Sequence, residues 1–206
     1  MRKIKIAVLV SGGGTNLQAL IDAQQSGIIE HGSIELVISN KEDAYALTRA
    51  QKAGIRTLTI LRGRTDNGGM QRDFEERIEA ALTENGIELI VLAGFMSILS
   101  KEFTSKYPRR IINVHPSLIP SFCGAGFYGL KVHEAALRYG VKVTGATVHF
   151  VNEIPDGGEI IMQKAVCTEE GDTPEILQRR VMEQAEWIIL PRAVEQVAQE
   201  LAGQET

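Results

Sequence analysis

Five consecutive residues, Leu89-Ile90-Val91-Leu92-Ala93, carry no polar side chain. Successive side chains of a strand point to opposite faces of its sheet, so such a run needs apolar cover on both faces. That is the position of a central strand in a parallel sheet flanked by helices. The residues around it repeat the theme, with β-branched runs alternating with helical patterns as βαβ units require. Strands are predicted at 4–10, 34–39 and 56–61, and helices at 15–26, 44–53 and 70–85. Thr15 and Gln18 read as a capping box, and Gly27, Gly54 and Gly86 stand where helices stop. Asp66-Asn67-Gly68-Gly69 reads as a loop. In the third helix Phe74, Ile78, Ala81 and Leu82 share one face, and Glu75, Glu76 and Glu79 fall largely off it.

The second half has a different grammar. Ile111 to His115 is a strand cut short by Pro116, and 121–130, rich in glycine and aromatics, is a loop of its own. Segments 143–151 and 159–166 alternate like two strands joined through Pro155-Asp156-Gly157-Gly158, a turn sequence. Thr173-Pro174 opens a long terminal helix that Pro191 breaks or restarts, and 203–206 reads as a frayed tail. The expected fold is a three-layer, Rossmann-like α/β domain spanning 1–206. Its sheet is mostly parallel with helices on both faces, and its C-terminal part adds antiparallel strands and the long helix.

A chain of 206 residues buries a full core without disulfides or a structural metal. Its two cysteines, Cys123 and Cys167, lack metal-type spacing and point to a reducing compartment, so a cytoplasmic protein is expected. The N-terminus reads without a signal peptide, and no apolar run approaches the ~20 residues that span a bilayer. A net charge of −4 and a pI near 5.7 argue against holding nucleic acid by bulk electrostatics.

Ser11-Gly12-Gly13-Gly14-Thr15-Asn16 joins the first strand to the first helix, where backbone N–H groups and the helix N-terminus converge on one point suited to a phosphate. The alternative is a tight turn that uses glycine only for positive φ. No Gly-Lys-Ser/Thr is present, so the loop is not a Walker A motif. Leu17 stands where a dinucleotide fingerprint needs its third glycine, and the second strand ends in Ser39-Asn40 instead of an acidic residue. A monophosphate fits better than a dinucleotide.

Asn113 and His115, two apart on a strand, leave the same face at the C-terminal sheet edge, where parallel sheets bind ligands. A structural Asn–His pair would look the same. Pro116-Ser117-Leu118-Ile119-Pro120, which admits a cis bond at Pro120, stiffens the chain after the pair, and the Asp156 turn can bring a carboxylate to the same edge. Such a trio suits acyl transfer to an amine. Asn113 donates to a developing oxyanion, His115 also moves a proton, and a neighbouring carboxylate favours the imidazolium.

Taken in order, Ser11 to Leu17, Leu92-Ala93-Gly94-Phe95-Met96, Asn113-Val114-His115-Pro116-Ser117-Leu118, Gly145-Ala146-Thr147-Val148-His149-Phe150 and Asp156-Gly157-Gly158 resemble the folate-dependent formyltransferases across nearly the whole chain. The resemblance implies formyl transfer from 10-formyltetrahydrofolate to glycinamide ribonucleotide, without a covalent enzyme intermediate or a metal. It implies Asn113, His115 and Asp156 as the catalytic set and Gly14, Thr15 and Asn16 as the holders of the substrate phosphate. Glu183 and Glu186 would face the amine end of the substrate. Met96, Ser97, Ile98 and Leu99, with Asn113 and the run Asn152, Glu153, Ile154, Pro155 and Asp156, would form the folate pocket. The phosphate-binding half is then about 1–110 and the catalytic, folate-facing half about 111–206. Small molecules are the expected partners, with neither nucleic acid nor membrane, and a homodimer remains compatible. Ser97 departs from a frequent arginine, Gln71 stands where an arginine can meet the folate tail, and Phe122, Phe127 and Tyr128 are candidates for a lid over the site.

Rival readings fit less well. A methionyl-tRNA formyltransferase carries an added C-terminal domain and a basic surface, and a formyltetrahydrofolate deformylase an N-terminal regulatory domain. A sugar-amine formyltransferase would share the core. A nicotinamide-dependent oxidoreductase lacks its fingerprint here, an anion-binding module leaves the Asn/His/Asp trio without a purpose, and His31, His115, His133 and His149 lack metal-ligand spacing.

Overall fold

The computed structural model describes residues 2–63 and 68–204. Its first strand, β1 (Ile4–Val10), runs through the loop 11–14 into α1 (Thr15–Gln25). Then follow β2 (Gly32–Ser39), α2 (Tyr45–Lys52), β3 (Arg56–Thr59), α3 (Gly68–Glu84) and β4 (Leu89–Leu92). After these come α4 (Lys101–Ser105), β5 (Ile111–His115), α5 (Leu130–Tyr139), β6 (Val143–Phe150) and β7 (Ile160–Cys167). The chain ends in α6 (Pro174–Val181), a five-residue π-helical segment Met182–Glu186, and α7 (Trp187–Gly203).

These strands form one seven-stranded sheet in the order β3-β2-β1-β4-β5-β6-β7. Pairing is parallel from β3 to β5 and antiparallel from β5 to β7. Strand alternation sorts the core into two layers. Ile4, Ile6, Val8 and Val10 of β1 meet α1 and α7 on one face, while Ala7 and Leu9 meet α3 on the other. The all-apolar run of β4 divides likewise, Leu89 and Val91 to the first layer and Ile90 and Leu92 to the second, and all four are buried. Strand order reverses between β1 and β4, so the loops leaving these two strands open a crevice at the C-terminal sheet edge.

Several local expectations need correction. Thr15 does not cap α1: the N-cap is Gly14, left-handed at φ 72°, and no side chain caps the helix. The Thr15 hydroxyl instead donates to Met182 Sδ at 3.8 Å, and the Gln18 amide donates to Asp22. Gly68 and Gly69, expected in a loop, belong to α3, while Asp66 and Asn67 lie outside the described residues. The terminal helix is interrupted at the π segment, not at Pro191, which α7 incorporates near its start. Gly203 is the last helical residue, and Glu205 and Thr206 lie outside the described residues. Two helices carry no signal in the sequence reading: α4, five residues long, is too short to show a period, and α5 buries a histidine among alanines.

Ile119–Pro120 is cis, and this proline-rich segment is bound to β6 through one hydroxyl. Thr147 Oγ1 accepts from Ile119 N at 3.1 Å and donates to Ser117 O at 2.7 Å. Cys123 and Cys167 are free thiols. Among the described residues no helix is long and apolar enough to cross a membrane.

Candidate active site

Antiparallel pairing of β5 with β6 sets Asn113 opposite His149 and His115 opposite Thr147. The turn after β6 then returns Asp156 between the two imidazoles. Asp156 Oδ2 lies 3.4 Å from His115 Nδ1, and Oδ1 lies 3.6 Å from His149 Nε2. The turn is tight enough to dictate its own sequence. Asp156 sits at φ 55°, and a Cβ on Gly158 would meet Phe150 O at 1.7 Å. Aspartate tolerates the left-handed region better than most residues, and only glycine fits at 158.

His149, which the sequence does not single out as a site residue, completes the cluster. Its Nδ1–H donates to Phe150 O at 2.8 Å, which leaves Nε2 to accept from Asn113 Nδ2 at 3.2 Å. The second N–H of the Asn113 amide is thereby aimed elsewhere, and Asn113 lines the adjoining cleft. The signal that finds His149 is register: in an antiparallel ladder the residue opposite a functional side chain shares its face.

The glycine-rich loop 121–130 contributes backbone. His115 Nε2–H donates to Phe122 O at 2.9 Å, and Gly124 N–H donates to Asp156 Oδ2 at 2.8 Å. Phe122 packs edge-on to Phe127 and Tyr139, whereas Tyr128 is exposed and carries Lys131 over its ring.

Electrostatics in this cluster set burial against the carboxylate that favours the imidazolium. Burial drives the His115 imidazole below its ordinary value, and Asp156 only partly offsets this, so the neutral ring is favoured. With Nε2 protonated toward Phe122 O, the lone pair of the neutral ring is on Nδ1, facing Asp156. Burial pushes the Asp156 carboxyl up, but its hydrogen bonding, with the Gly124 N–H among the donors, outweighs this and holds the group below the usual carboxylate range.

Ser97, Ile98, Leu99, Asn152, Glu153, Ile154 and Pro155 line one cleft with Asn113, His149 and Asp156. Met96 stands outside that lining, half exposed. The cleft encloses about 120 Å³. Sites that bury a drug-sized ligand span ~300–1,000 Å³, so it encloses part of such a molecule and leaves the remainder at the mouth. A larger cavity of about 660 Å³, between α1 and α7, touches none of Asn113, His115, His149 or Asp156, and the smaller cleft is therefore the candidate site. Among the described residues no group of three His, Cys, Asp or Glu side chains is placed to hold a metal.

The glycine loop is joined to this cleft through Ser11, whose Oγ accepts from Met96 N at 2.8 Å. Helix α2 braces the loop from behind: Ala46 N–H donates to Gly12 O at 3.0 Å and Arg49 Nε to Gly13 O at 2.8 Å. A Cβ at Gly14 would stand 2.6 Å from Ala46 Cβ, so close approach as well as positive φ requires glycine there. Asn16 Nδ2 donates to Glu186 Oε2 at 2.7 Å, while Asn16 Oδ1 is buried and has no partner among the described residues. Glu186 is only 6% exposed, and burial raises its carboxyl to about 6 against the opposing hydrogen bond from Asn16. Glu183 does not join it. In a π segment the i→i+5 bonds prevent a three-residue spacing from returning to the same face, and Glu183 is exposed beside Arg179 and Arg180.

Fold and site together define a doubly wound α/β domain with a polar side-chain cluster at the C-terminal edge of its sheet. Residues 4–194 match the formyl transferase family, and the chain belongs to it. It is 43% identical over 190 residues to the phosphoribosylglycinamide formyltransferase of Haemophilus influenzae, covering 92% of this chain and 85% of that one. It is 44% identical over 197 residues to the trifunctional purine biosynthetic protein adenosine-3 of Homo sapiens, covering 96% of this chain but spanning only 18% of that protein's length. The crystal structure of glycinamide ribonucleotide transformylase 1 from Symbiobacterium toebii superposes with a TM-score of 0.87 at 40% identity, covering 96% of this chain and 89% of that one.

Proposed function

We propose that this chain is a single-domain, cytoplasmic enzyme that transfers the formyl group of 10-formyltetrahydrofolate to the amine of glycinamide ribonucleotide, in purine biosynthesis. The observation that carries the reading is the Asp156 carboxylate between His115 and His149, with Asn113 bonded into the same network and lining the cleft. Family membership and the named relatives support it from outside the site.

In this reading the loop from Gly12 to Asn16 holds the substrate phosphate with backbone N–H groups and the uncapped start of α1. Asn16 and Glu186 orient the neighbouring part of the substrate, and the cleft from Ser97 to Leu99 and Asn152 to Asp156 receives the folate ring. Asn113 donates its free N–H to the oxyanion that develops on the formyl oxygen, an interaction worth ~2.7–4 kcal/mol in such sites. The proton that the amine loses passes through Asp156, which lines the cleft, to Nδ1 of His115, neutral at rest, and Asp156 stabilises the resulting imidazolium. The same proton is available to the departing folate nitrogen, so formylated amine and tetrahydrofolate leave and the enzyme is regenerated.

The test is to mix the protein with 10-formyltetrahydrofolate and follow deformylation with and without glycinamide ribonucleotide. Turnover that requires the amine, with formyl recovered on it, is expected. Equal turnover without the amine would identify a hydrolase and reject the assignment.

A further inference from the structure

Glu75 lies off the apolar stripe of α3 in sequence, yet it is buried, at 7% exposure. Its carboxylate accepts from three donors: Ser100 N–H at 2.7 Å and Gln71 Nε2 at 2.5 Å on Oε1, and the Ser100 hydroxyl at 2.5 Å on Oε2. Each donor fixes something nearer the cleft. Gln71 Nε2 also donates to Ile98 O at 3.2 Å, and Ser100 Oγ, with its proton committed to Glu75, accepts from Phe103 N–H at 3.1 Å and so caps α4. The segment from Ile98 to Ser100 is thus held at both ends by one carboxylate that touches neither the cleft nor the catalytic cluster.

Without Glu75 the half-buried Ser100 N–H and the Gln71 amide lose their acceptor, and the cleft wall formed by Ile98 and Leu99 loses its anchor. The wall from Asn152 to Asp156 is built instead on the turn that follows β6, where Ile154 N–H donates to Asn152 Oδ1 at 2.9 Å. We infer that Glu75 is a positioning residue for the folate-ring half of the cleft, acting through Gln71 and Ser100 on the loop from Ile98 to Ser100. The inference rests on the proposed reading of that cleft and adds the residue that sets its shape. Gln71, spent on this clamp, is correspondingly unavailable to the folate tail.

The experiment compares wild type with Glu75→Ala, Glu75→Gln and Gln71→Ala in steady-state kinetics for both substrates, and in calorimetric titration with tetrahydrofolate. Glu75→Ala should raise the KM for 10-formyltetrahydrofolate and the Kd for tetrahydrofolate about tenfold, equivalent to about 1.4 kcal/mol, the size of one lost charge-assisted hydrogen bond. The KM for glycinamide ribonucleotide should stay within about twofold. Glu75→Gln, which keeps one acceptor oxygen, should recover part of the loss. Equal rises in both KM values, or an unchanged Kd for tetrahydrofolate, would overturn the inference. Should Glu75→Ala fail to fold, Gln71→Ala, which releases Ile98 and leaves the Glu75–Ser100 bonds in place, decides it by the same titration. A wild-type chain that binds tetrahydrofolate but transfers no formyl group would instead reject the assigned reaction, and the titrations would still judge the clamp.

Discussion

The two candidate functional regions of this molecule are built in opposite ways. The loop from Gly12 to Asn16 is one short stretch of chain whose proposed binding groups are backbone amides, braced from behind by α2. The Asn113, His115, His149 and Asp156 cluster is assembled from side chains on two antiparallel strands and a turn, with two further backbone groups from the loop 121–130. A backbone site tolerates side-chain changes that leave its path intact and fails when the path is obstructed. A side-chain cluster fails residue by residue. The first should govern affinity for the phosphorylated substrate and the second should govern turnover, with His133, buried near His115, adding acid sensitivity.

Four measurements sharpen or break this contrast. The largest effect is expected in the cluster: His115→Ala or Asp156→Asn should lower kcat by ~10²–10⁴, with the KM for glycinamide ribonucleotide within about threefold. Initial rates near those of wild type would remove both residues from the mechanism.

Next comes acid stability. His133 on α5 is fully buried, neither ring nitrogen has a hydrogen-bond partner among the described residues, and burial, with His115 nearby, drives it down to about 4. Above about pH 6.5 the ring is neutral in both folded and unfolded chains. As pH falls from about 6.5 toward 4, only the unfolded chain takes up this proton, so stability drops by ~1.36 kcal/mol per pH unit, to a total of roughly 3 kcal/mol. Denaturant titrations should show a shallower acid slope in His133→Leu than in wild type, and parallel curves would refute the assignment.

Third, Gly14→Ala places a methyl group 2.6 Å from Ala46 Cβ at a left-handed residue. It should cost about 1–3 kcal/mol of stability and raise the KM for glycinamide ribonucleotide, with kcat nearly unchanged. A rise confined to the folate KM would mean that the two regions have been exchanged. The smallest effect is expected for His149→Ala, which frees the Asn113 amide from its acceptor and should lower kcat about tenfold. An unchanged kcat would reduce His149 to a packing residue.

The same contrast separates what could be read from the sequence. β1, β4 and the helices between them were legible because their information is local: apolar runs, helical spacing, and glycine at the stops and the loop. Asn113 and His115 were legible as a pair because strand geometry forces residues two apart onto one face. His149 was not singled out, because its role exists only through the β5–β6 register, and a single sequence carries no record of which residues stand opposite. The burial of Glu75 escaped the helical period for a related reason, since its partner Ser100 comes from another element. The separation of Glu183 from Glu186 depends on a π segment that the periodicity of α6 and α7 does not announce. For His115 the carboxylate neighbour that favours the imidazolium could be anticipated, whereas the weight of burial that opposes it could not.

By itself, then, the order of residues determined the layered α/β architecture, the glycine loop between β1 and α1 and the pairing of Asn113 with His115 on one strand face, because hydrophobic period and backbone stereochemistry act over a few residues. Only tertiary structure decided which groups meet, which stay neutral and which glutamate turns inward. Those outcomes depend on distances and desolvation between segments far apart in the chain, and such terms have no value until the chain is packed.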